Sequence, residues 1–250
     1  MAQRVLAPTI NTDFVRKIPL FSGLPESEKN ALLKDGSIYS YRRKEHLFRH
    51  GDSVDHFHVI CNGTVRLYHE TFDGCEVTTD IRIAGDTICK TGIFRSFEKH
   101  HCHAEVVHDA TIMEFPRQWL IDIAAQYSVV SSNLLSALSQ STHEMKVDAE
   151  NRAAMSIEQR VACFLSKICA IQELNPSGFN LPYSKGLIAS RLGMRQETLS
   201  RALLKLEDTG ITVKDKHVSL HDLESIDKNV CSQCPGAESC FARKALRTKH

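Results

Sequence analysis

The spacing of apolar positions changes twice along this chain, and each change marks a different kind of element. From Phe14 to Asp35 the pattern is helical but interrupted by Pro19 and by Ser22-Gly23-Leu24-Pro25, which leaves Glu26 to Leu33 as a short helix. From Ile38 to Phe115 short β-rich runs take over: HFHVI (56–60), TVRLYHE (64–70), EVTTDIRIA (76–84) and HAEVVHDATIMEF (103–115). Turn residues separate them at Gly51-Asp52, Asn62-Gly63, Asp73-Gly74 and Gly85-Asp86, a spacing that predicts a compact β-roll or barrel, either a ligand container or a plain scaffold.

After Pro116 the period lengthens to 3.6, with Ile123, Tyr127, Val130, Leu134, Leu138 and Met145 falling three, four or seven apart. A helix continuous to about Asp148 would run about 32 residues, or about 48 Å. That is a long apolar stripe for one domain to cover. A parallel homodimer joined along it is the expected solution, and a core helix lying on the β-roll is the alternative. Ser156 and Gln159 then form a capping box ahead of a helix whose buried face is Val161, Phe164, Leu165, Ile168 and Ile171, ended by Pro176-Ser177-Gly178. Ser184 to Leu192 predicts a short helix, Gly193 a turn, Arg195 to Asp208 a second helix, and ITVKDKHVSL a hairpin turning at Asp215-Lys216. Helix, helix, turn, helix and hairpin together make a winged helix-turn-helix. The predicted class is α+β, with a β-roll at 1–115, a dimerisation helix at 116–150, the winged domain at 151–222 and a Cys-rich tail at 223–250.

Composition narrows the class further. The 250 residues are 42% hydrophobic and 24% charged, with 12 Gly and 7 Pro, an ordinary globular balance that excludes collagen, rods and wholesale disorder. No run approaches the roughly 20 apolar residues of a membrane span, and no basic and apolar leader opens the chain, so a cytoplasmic protein without a membrane partner is expected. The 9 Cys are odd in number and mostly scattered, as expected in a reducing compartment. Net charge is only +1, yet 1–150 holds 16 basic against 20 acidic residues and 151–250 holds 15 against 10. The basic half favours a polyanion. No nucleophile elbow, phosphate loop, H-E-x-x-H or dinucleotide fingerprint is present, so no enzyme activity and no catalytic residue is expected.

The opening of the second helix of a helix-turn-helix faces base edges, and here it offers Arg195, Gln196, Glu197, Ser200 and Arg201. Glu197, Ser200 and Arg201 share one face, while Leu199, Leu203 and Leu206 lie opposite, toward Ile188 and Leu192. Arg suits guanine, Glu a cytosine amine and Ser a thymine. A solvated face closed by a Glu197–Arg201 ion pair is the bland alternative.

These residues carry a resemblance. RLGMRQETLSRALLKLEDTGI, preceded by EQRVACFL and followed by a basic wing, is similar to the DNA-binding domain of the CRP/FNR superfamily of bacterial transcription regulators. IPLFSGLPESE, the F-x-x-G-D of Phe48 to Asp52, the β-roll and the long helix extend the likeness over about 14–226. The E-x-x-S-R of Glu197, Ser200 and Arg201 resembles the FNR-type branch, which implies a palindrome of TTGAT-like half-sites in double-stranded DNA, a homodimer and RNA polymerase as a partner. Arg195 and Gln196 depart from the usual pattern.

The resemblance also frames what is sensed. Cyclic-nucleotide members hold the ligand with G-E and R-S pairs. The corresponding stretch, GDTICKTGIFRSFEKHHCH, places Cys89-Lys90 and His100-His101 there, which removes the main anchors for cyclic AMP. Beyond the wing, Cys231, Cys234 and Cys240 form C-x2-C-x5-C, a spacing suited to wrapping one soft metal centre. It matches the cluster loop of the FNR branch, and some relatives carry a C-terminal three-Cys site completed by a carboxylate. A [4Fe-4S] cluster sensitive to oxygen or NO is thereby implied, with Asp148 or, second, Cys102 as fourth ligand, because Met113 stands where the branch has its remaining cluster Cys. Zinc completed by His221 or His250, and a redox-active or unliganded thiol tail, stay open. So do haem on Cys89 or the His100 to His103 run, although Thr91 replaces the expected second His, and a cluster-free regulator answering to a small ligand in the β-roll. Cys61, Cys163 and Cys169 fall in apolar patterns and are expected to be packing residues.

Overall fold

The computed structural model describes residues 3–4, 18–88, 99–171 and 178–220, together with Cys234, Ala237, Cys240, Arg243 and Lys244. The chain forms two compact units, 1–141 and 142–250.

The first unit is a β-roll. Its strands are β1 (Gln3–Arg4), β2 (Ser37–Tyr41), β3 (His46–Phe48), β4 (His56–Glu70), β5 (Glu76–Ile83), β6 (Thr87–Ile88) and β7 (His103–Pro116). They form one antiparallel sheet in the order β1-β2-β7-β4-β5, with β3 on β7 and β6 on β4. A 3-10 turn at Pro19–Phe21 and helix α1 (Glu26–Leu33) precede β2.

The two runs expected on either side of a turn at Asn62-Gly63 are one 15-residue strand, β4. Both halves pair with β7, Val59 opposite Met113 and Val65 opposite Val106, and the register shifts between Ile60 and Val65. The turn signal therefore encodes a β-bulge. Gly63 sits at φ +92, where a Cβ would lie 2.5 Å from the Asp109 carbonyl oxygen and 2.6 Å from Ala110. Only a residue without a side chain lets the strands approach this closely.

Both faces of this ladder are buried, which the period-2 alternation of side chains makes possible. Phe57, Val59, Met113 and Phe115 point to the helical side, where they pack with Ile18, Phe21, Leu24, Leu120, Ile123, Val130 and Leu134. Ile60, Val65, Val106 and Ile112 point into the roll with Tyr41, Phe48 and Ile88.

The long helix expected from Pro116 is two helices, α2 (Arg117–Gln126) and α3 (Ser128–Ala154). Tyr127 leaves the helical region, at φ −116 and ψ 105, and donates its backbone N–H to the Ile123 carbonyl. Its hydroxyl donates to Glu28 of α1 at 2.5 Å, and the Ser131 hydroxyl donates at 2.5 Å to the Ala124 carbonyl, a backbone group that the break releases. The break lets α2 and α3 each turn an apolar face to the sheet. Ile123, Val130 and Leu134, expected at a dimer contact, are 4%, 0% and 4% exposed inside this unit's own core. Of the stripe, Leu138 is half-buried and Met145 is exposed, with Leu135 exposed beside it.

The second unit holds α4 (Ile157–Ile171), β8 (Phe179–Asn180), α5 (Lys185–Arg191), α6 (Gln196–Lys205), β9 (Ile211–Lys214) and β10 (His217–Leu220). The capping box forms as read: Ser156 N–H donates to Gln159 Oε1 at 2.9 Å, and Gln159 N–H donates to Ser156 Oγ at 3.2 Å. The wing has one strand more than the expected hairpin, because β8 joins β10 to give the order β8-β10-β9. Val161, Ala162, Leu165, Ile168, Leu199, Leu203, Ile211 and Val218 form the core. Within the described residues no helix is long and apolar enough to cross a membrane.

Gly63→Ala should lower the stability of the first unit by about 2 kcal/mol or more, through collision with a buried backbone. Gly51→Ala, also at positive φ but with nothing within 4 Å of the added carbon, should cost about 1 kcal/mol. Thermal melts of the two variants check the difference.

Candidate nucleic-acid interface and thiol cluster

Helix α5 begins at Ser184, whose Oγ accepts the Leu187 N–H at 3.2 Å, and it buries Leu187, Ile188 and Ala189. The chain then turns through Gly193 at φ +64, and the Met194 N–H closes the turn on the Ala189 carbonyl at 3.0 Å. Arg160 of α4 donates its guanidinium to the Leu192 carbonyl and braces the same turn. Helix α6 starts with Arg195 as its N-cap and buries Leu199, Ala202 and Leu203 against α4 and α5.

With that face held, the opposite one is forced outward. Arg195, Gln196, Glu197 and Arg201 are exposed and Ser200 is half-exposed. Gln196 turns its amide toward α5, with Oε1 3.2 Å from the position a Cβ on Gly186 would take. The Glu197–Arg201 ion pair is not formed among the described residues, so both side chains keep their hydrogen-bonding groups available. Lys205, one turn on, is held by Glu158 at 3.0 Å. Lys214 and Lys216 of the wing are exposed. The surface combines base-reading side chains on a rigid helix with flanking cations suited to phosphates.

The same unit gathers thiols. Cys234 donates its Sγ hydrogen to Asn151 Oδ1 at 3.4 Å. Cys234 and Cys163 of α4 both pack against the core of the unit. Cys234 and burial push the Cys163 thiol far up, against the opposing pull of Lys167. Cys163 thus packs as its apolar pattern suggests. Asp148, expected as a metal ligand, is taken by cations: Arg191 Nη2 lies 2.6 Å from it and Lys167 Nζ 3.9 Å. Cys231, His221 and His250 lie outside the described residues, among which no three His, Cys, Asp or Glu side chains stand close enough to hold a metal ion.

In the β-roll, Cys89, Lys90 and Thr91 lie outside the described residues. The His100 ring stacks on Phe48 at 3.5 Å, and the His103 ring stacks on Tyr68 at 4.8 Å. His101 is exposed. Cys102 is half-buried beside the roll's inner core, and burial pushes its thiol up to about 11. His103 also lines an open groove of about 330 Å³ with His50, His69, Glu70, Thr71 and Phe72, a grouping that sequence distance hides.

Comparison with known proteins agrees with both units. A family model for the cyclic nucleotide-binding domain matches residues 38–127, and one for the Crp-like helix-turn-helix domain matches 159–228. The chain belongs to the CRP/FNR family. It is similar to the anaerobic regulatory protein of Haemophilus influenzae, 28% identical over 192 residues covering 74% of this chain and 73% of that one. The fumarate and nitrate reduction regulatory protein of Escherichia coli K12 is 27% identical over 188 residues, covering 72% and 73%. Among solved structures, FixK2 from Bradyrhizobium japonicum shares the fold at a TM-score of 0.68 and 22% identity, covering 77% of this chain and 96% of that one. The chain is thus a transcription regulator of the CRP/FNR type that binds DNA through its Crp-like domain, and the relatives named here are regulators rather than enzymes.

A family built around a cyclic-nucleotide roll makes the interior of that roll chemically telling. His58 is buried beside Phe48, its Nε2 is 3.7 Å from Glu114 Oε1, and its Nδ1 has no hydrogen-bond partner among the described residues. Burial, reinforced by His56 and His100, pushes its pKa down to about 3. Burial likewise pushes His100 down to about 4, against Asp52 and Asp55. The unfolded chain takes up these protons near 6.5 and the folded roll does not, so their contribution to stability is complete above that pH and is lost as pH falls toward 4. The melting temperature of the first unit should drop between pH 7.5 and pH 5, and His58→Leu should flatten the dependence. An unchanged slope would show that His58 is not its source.

Proposed function

We propose that this regulator acts as a homodimer on a palindrome of TTGAT-like half-sites and responds to oxygen, NO or redox state through a [4Fe-4S] cluster on Cys231, Cys234 and Cys240. The observation that carries the DNA reading is the outward face of α6, with Arg195, Glu197 and Arg201 exposed above a fully buried Leu199. Arg201 is suited to guanine, Glu197 to a cytosine amine and Ser200 to a thymine, while Lys214 and Lys216 suit backbone phosphates. Two such helices about 34 Å apart would meet one face of a duplex in successive major grooves.

The dimer reading rests on α3, where Leu135 and Met145 are exposed and Leu138 is half-buried at helical spacing. These apolar groups favour a second copy of α3 as partner. RNA polymerase is the further partner of an activator, and the cytoplasm is where DNA and polymerase are met.

The sensing reading rests on the donor set. Cys234 and Cys240 are half-buried thiols in a C-x2-C-x5-C segment, soft sulfur donors of the kind iron-sulfur centres use. Similarity to an anaerobic regulatory protein and to a fumarate and nitrate reduction regulatory protein supports the same reading. When bound, such a cluster supplies reactivity toward oxygen and NO. The protein's part is to hold it: Asn151, itself buried, orients Cys234.

Protein purified without oxygen should be brown, with about four irons and matching sulfide per chain, and Cys234→Ser should lose both. Colourless, iron-free protein would overturn the sensor reading, and a Soret band would replace it with haem. On DNA, Arg201→Ala should lose discrimination of about 1 to 3 kcal/mol per half-site and keep the dimer, as read by fluorescence anisotropy against matched and scrambled duplexes. Equal affinity of the unmodified protein for both duplexes would remove the palindrome reading.

A further inference from the structure

We infer that Leu204, one turn beyond Ser200 and Arg201 on α6, reads the C5-methyl group of a thymine in each half-site. This rests on the proposed entry of α6 into the major groove, and it adds to that face a base contact of a different chemistry.

Leu204 is 67% exposed, whereas Leu199 and Leu203 of the same helix are 1% and 7% exposed. A lone apolar side chain on an arbitrary surface calls for no explanation. The surface here is not arbitrary. At about 100° per residue, and with Glu197 as zero, Ser200 falls at about −60°, Arg201 at about +40° and Leu204 at about −20°. The buried Leu199, Ala202 and Leu203 fall between about 140° and 240°. Leu204 therefore points between Ser200 and Arg201, nearly opposite the core. It stands at the centre of the face that a duplex would cover, and continues that face by one turn.

The distance along the helix suits the same duplex. At 1.5 Å per residue, Leu204 lies about 4.5 Å beyond Arg201 and about 10.5 Å beyond Glu197. Base steps are about 3.4 Å apart. For a helix lying along the groove, Leu204 thus comes over a base pair roughly one step past the one that faces Arg201.

Chemistry then selects what it touches. A phosphate calls for a cation or a hydrogen-bond donor. Leu204 has no donor to offer in its side chain, and the adjacent cation, Lys205, is drawn back to Glu158 of α4 at 3.0 Å. Among the groups that base pairs present in the major groove, the thymine C5-methyl is the apolar one. Covering that methyl and the leucine together removes two apolar surfaces from water. A cytosine at the same place would turn its amine toward a side chain that cannot accept a hydrogen bond, and would lose water without replacement. The contact therefore favours thymine by attraction and disfavours cytosine by desolvation.

The test uses the full chain, purified without oxygen, and a duplex that the unmodified protein enriches from a random-sequence pool, so that no particular half-site is assumed. Each thymine in turn is replaced by deoxyuridine, which removes the methyl group and keeps the hydrogen bonds. One thymine per half-site should be sensitive, with affinity falling about fourfold, the effect of covering one such carbon. Leu204→Ala should bind the enriched duplex more weakly by a similar factor and lose that sensitivity. Leu204→Met, which keeps an apolar side chain of similar reach, should retain it. Because Leu204 is exposed, both variants should melt at the temperature of the unmodified protein. No methyl effect in the unmodified protein, or the same effect persisting in Leu204→Ala, would overturn the role of Leu204 while leaving the groove reading standing. So would a Leu204→Ala protein that binds DNA unchanged but no longer activates polymerase, since Leu204 would then be a protein contact. Failure of the unmodified protein to enrich any duplex would remove the groove reading and this inference together.

Discussion

A helix can read DNA only if its other side is immovable, and in this protein that condition is met by Leu199, Ala202 and Leu203. All three are buried in a core built by α4, α5 and the wing. Each buried leucine contributes about 1.5 to 3 kcal/mol, so rotating α6 to hide its polar face would forfeit both at once. Arg195, Glu197 and Arg201 are exposed as the direct counterpart of that burial. The brace from Arg160 to the Leu192 carbonyl fixes the turn that sets the angle of α6, and Lys205 is anchored to Glu158 at the far end. The sequence variation that matters for specificity is thereby confined to a few side chains on a frame that does not move with them.

The β-roll obeys a related constraint with a different outcome. The β4–β7 ladder buries both of its faces, and the bulge at Gly63 bends it so that one side wraps inward while the other accepts helices. Covering the outer side takes much of the apolar stripe of α2 and the start of α3. Competition between a sheet and a partner for the same residues was the ambiguity in the heptad-like pattern, and the sheet wins for Ile123, Val130 and Leu134. What remains for a second copy is displaced toward the end of α3, around Leu135, Leu138 and Met145. The break at Tyr127 is what allows the division, because a straight helix would drift off the sheet.

The cysteines show how chemistry and packing separate. Cys169 is a core residue, as its pattern suggests, and Cys61 is enclosed in the outer core, where burial raises its thiol to about 11. Cys163 is half-buried against the core of the second unit, and Cys234, far along the chain, packs on the same core. The carboxylate suggested by analogy, Asp148, illustrates the converse: a residue placed correctly on a helix and then claimed by Arg191.

Local rules determined much of this protein from its sequence. The capping box at Ser156 and Gln159, the period-2 strands, the Gly193 turn and the polar opening of α6 depend on neighbours within a few positions, so their order in the chain suffices to place them. Tertiary structure alone decided three matters. It made Asn62-Gly63 a bulge instead of a hairpin, because β7 pairs with both flanks. It assigned the stripe of α2 and α3 mainly to the sheet, because burial depends on which surface arrives first and closest. It also brought Cys163 and Cys234 onto one core, because contacts between residues far apart in the chain follow from how cores close, and periodicity along a single element carries no record of what lies across from it.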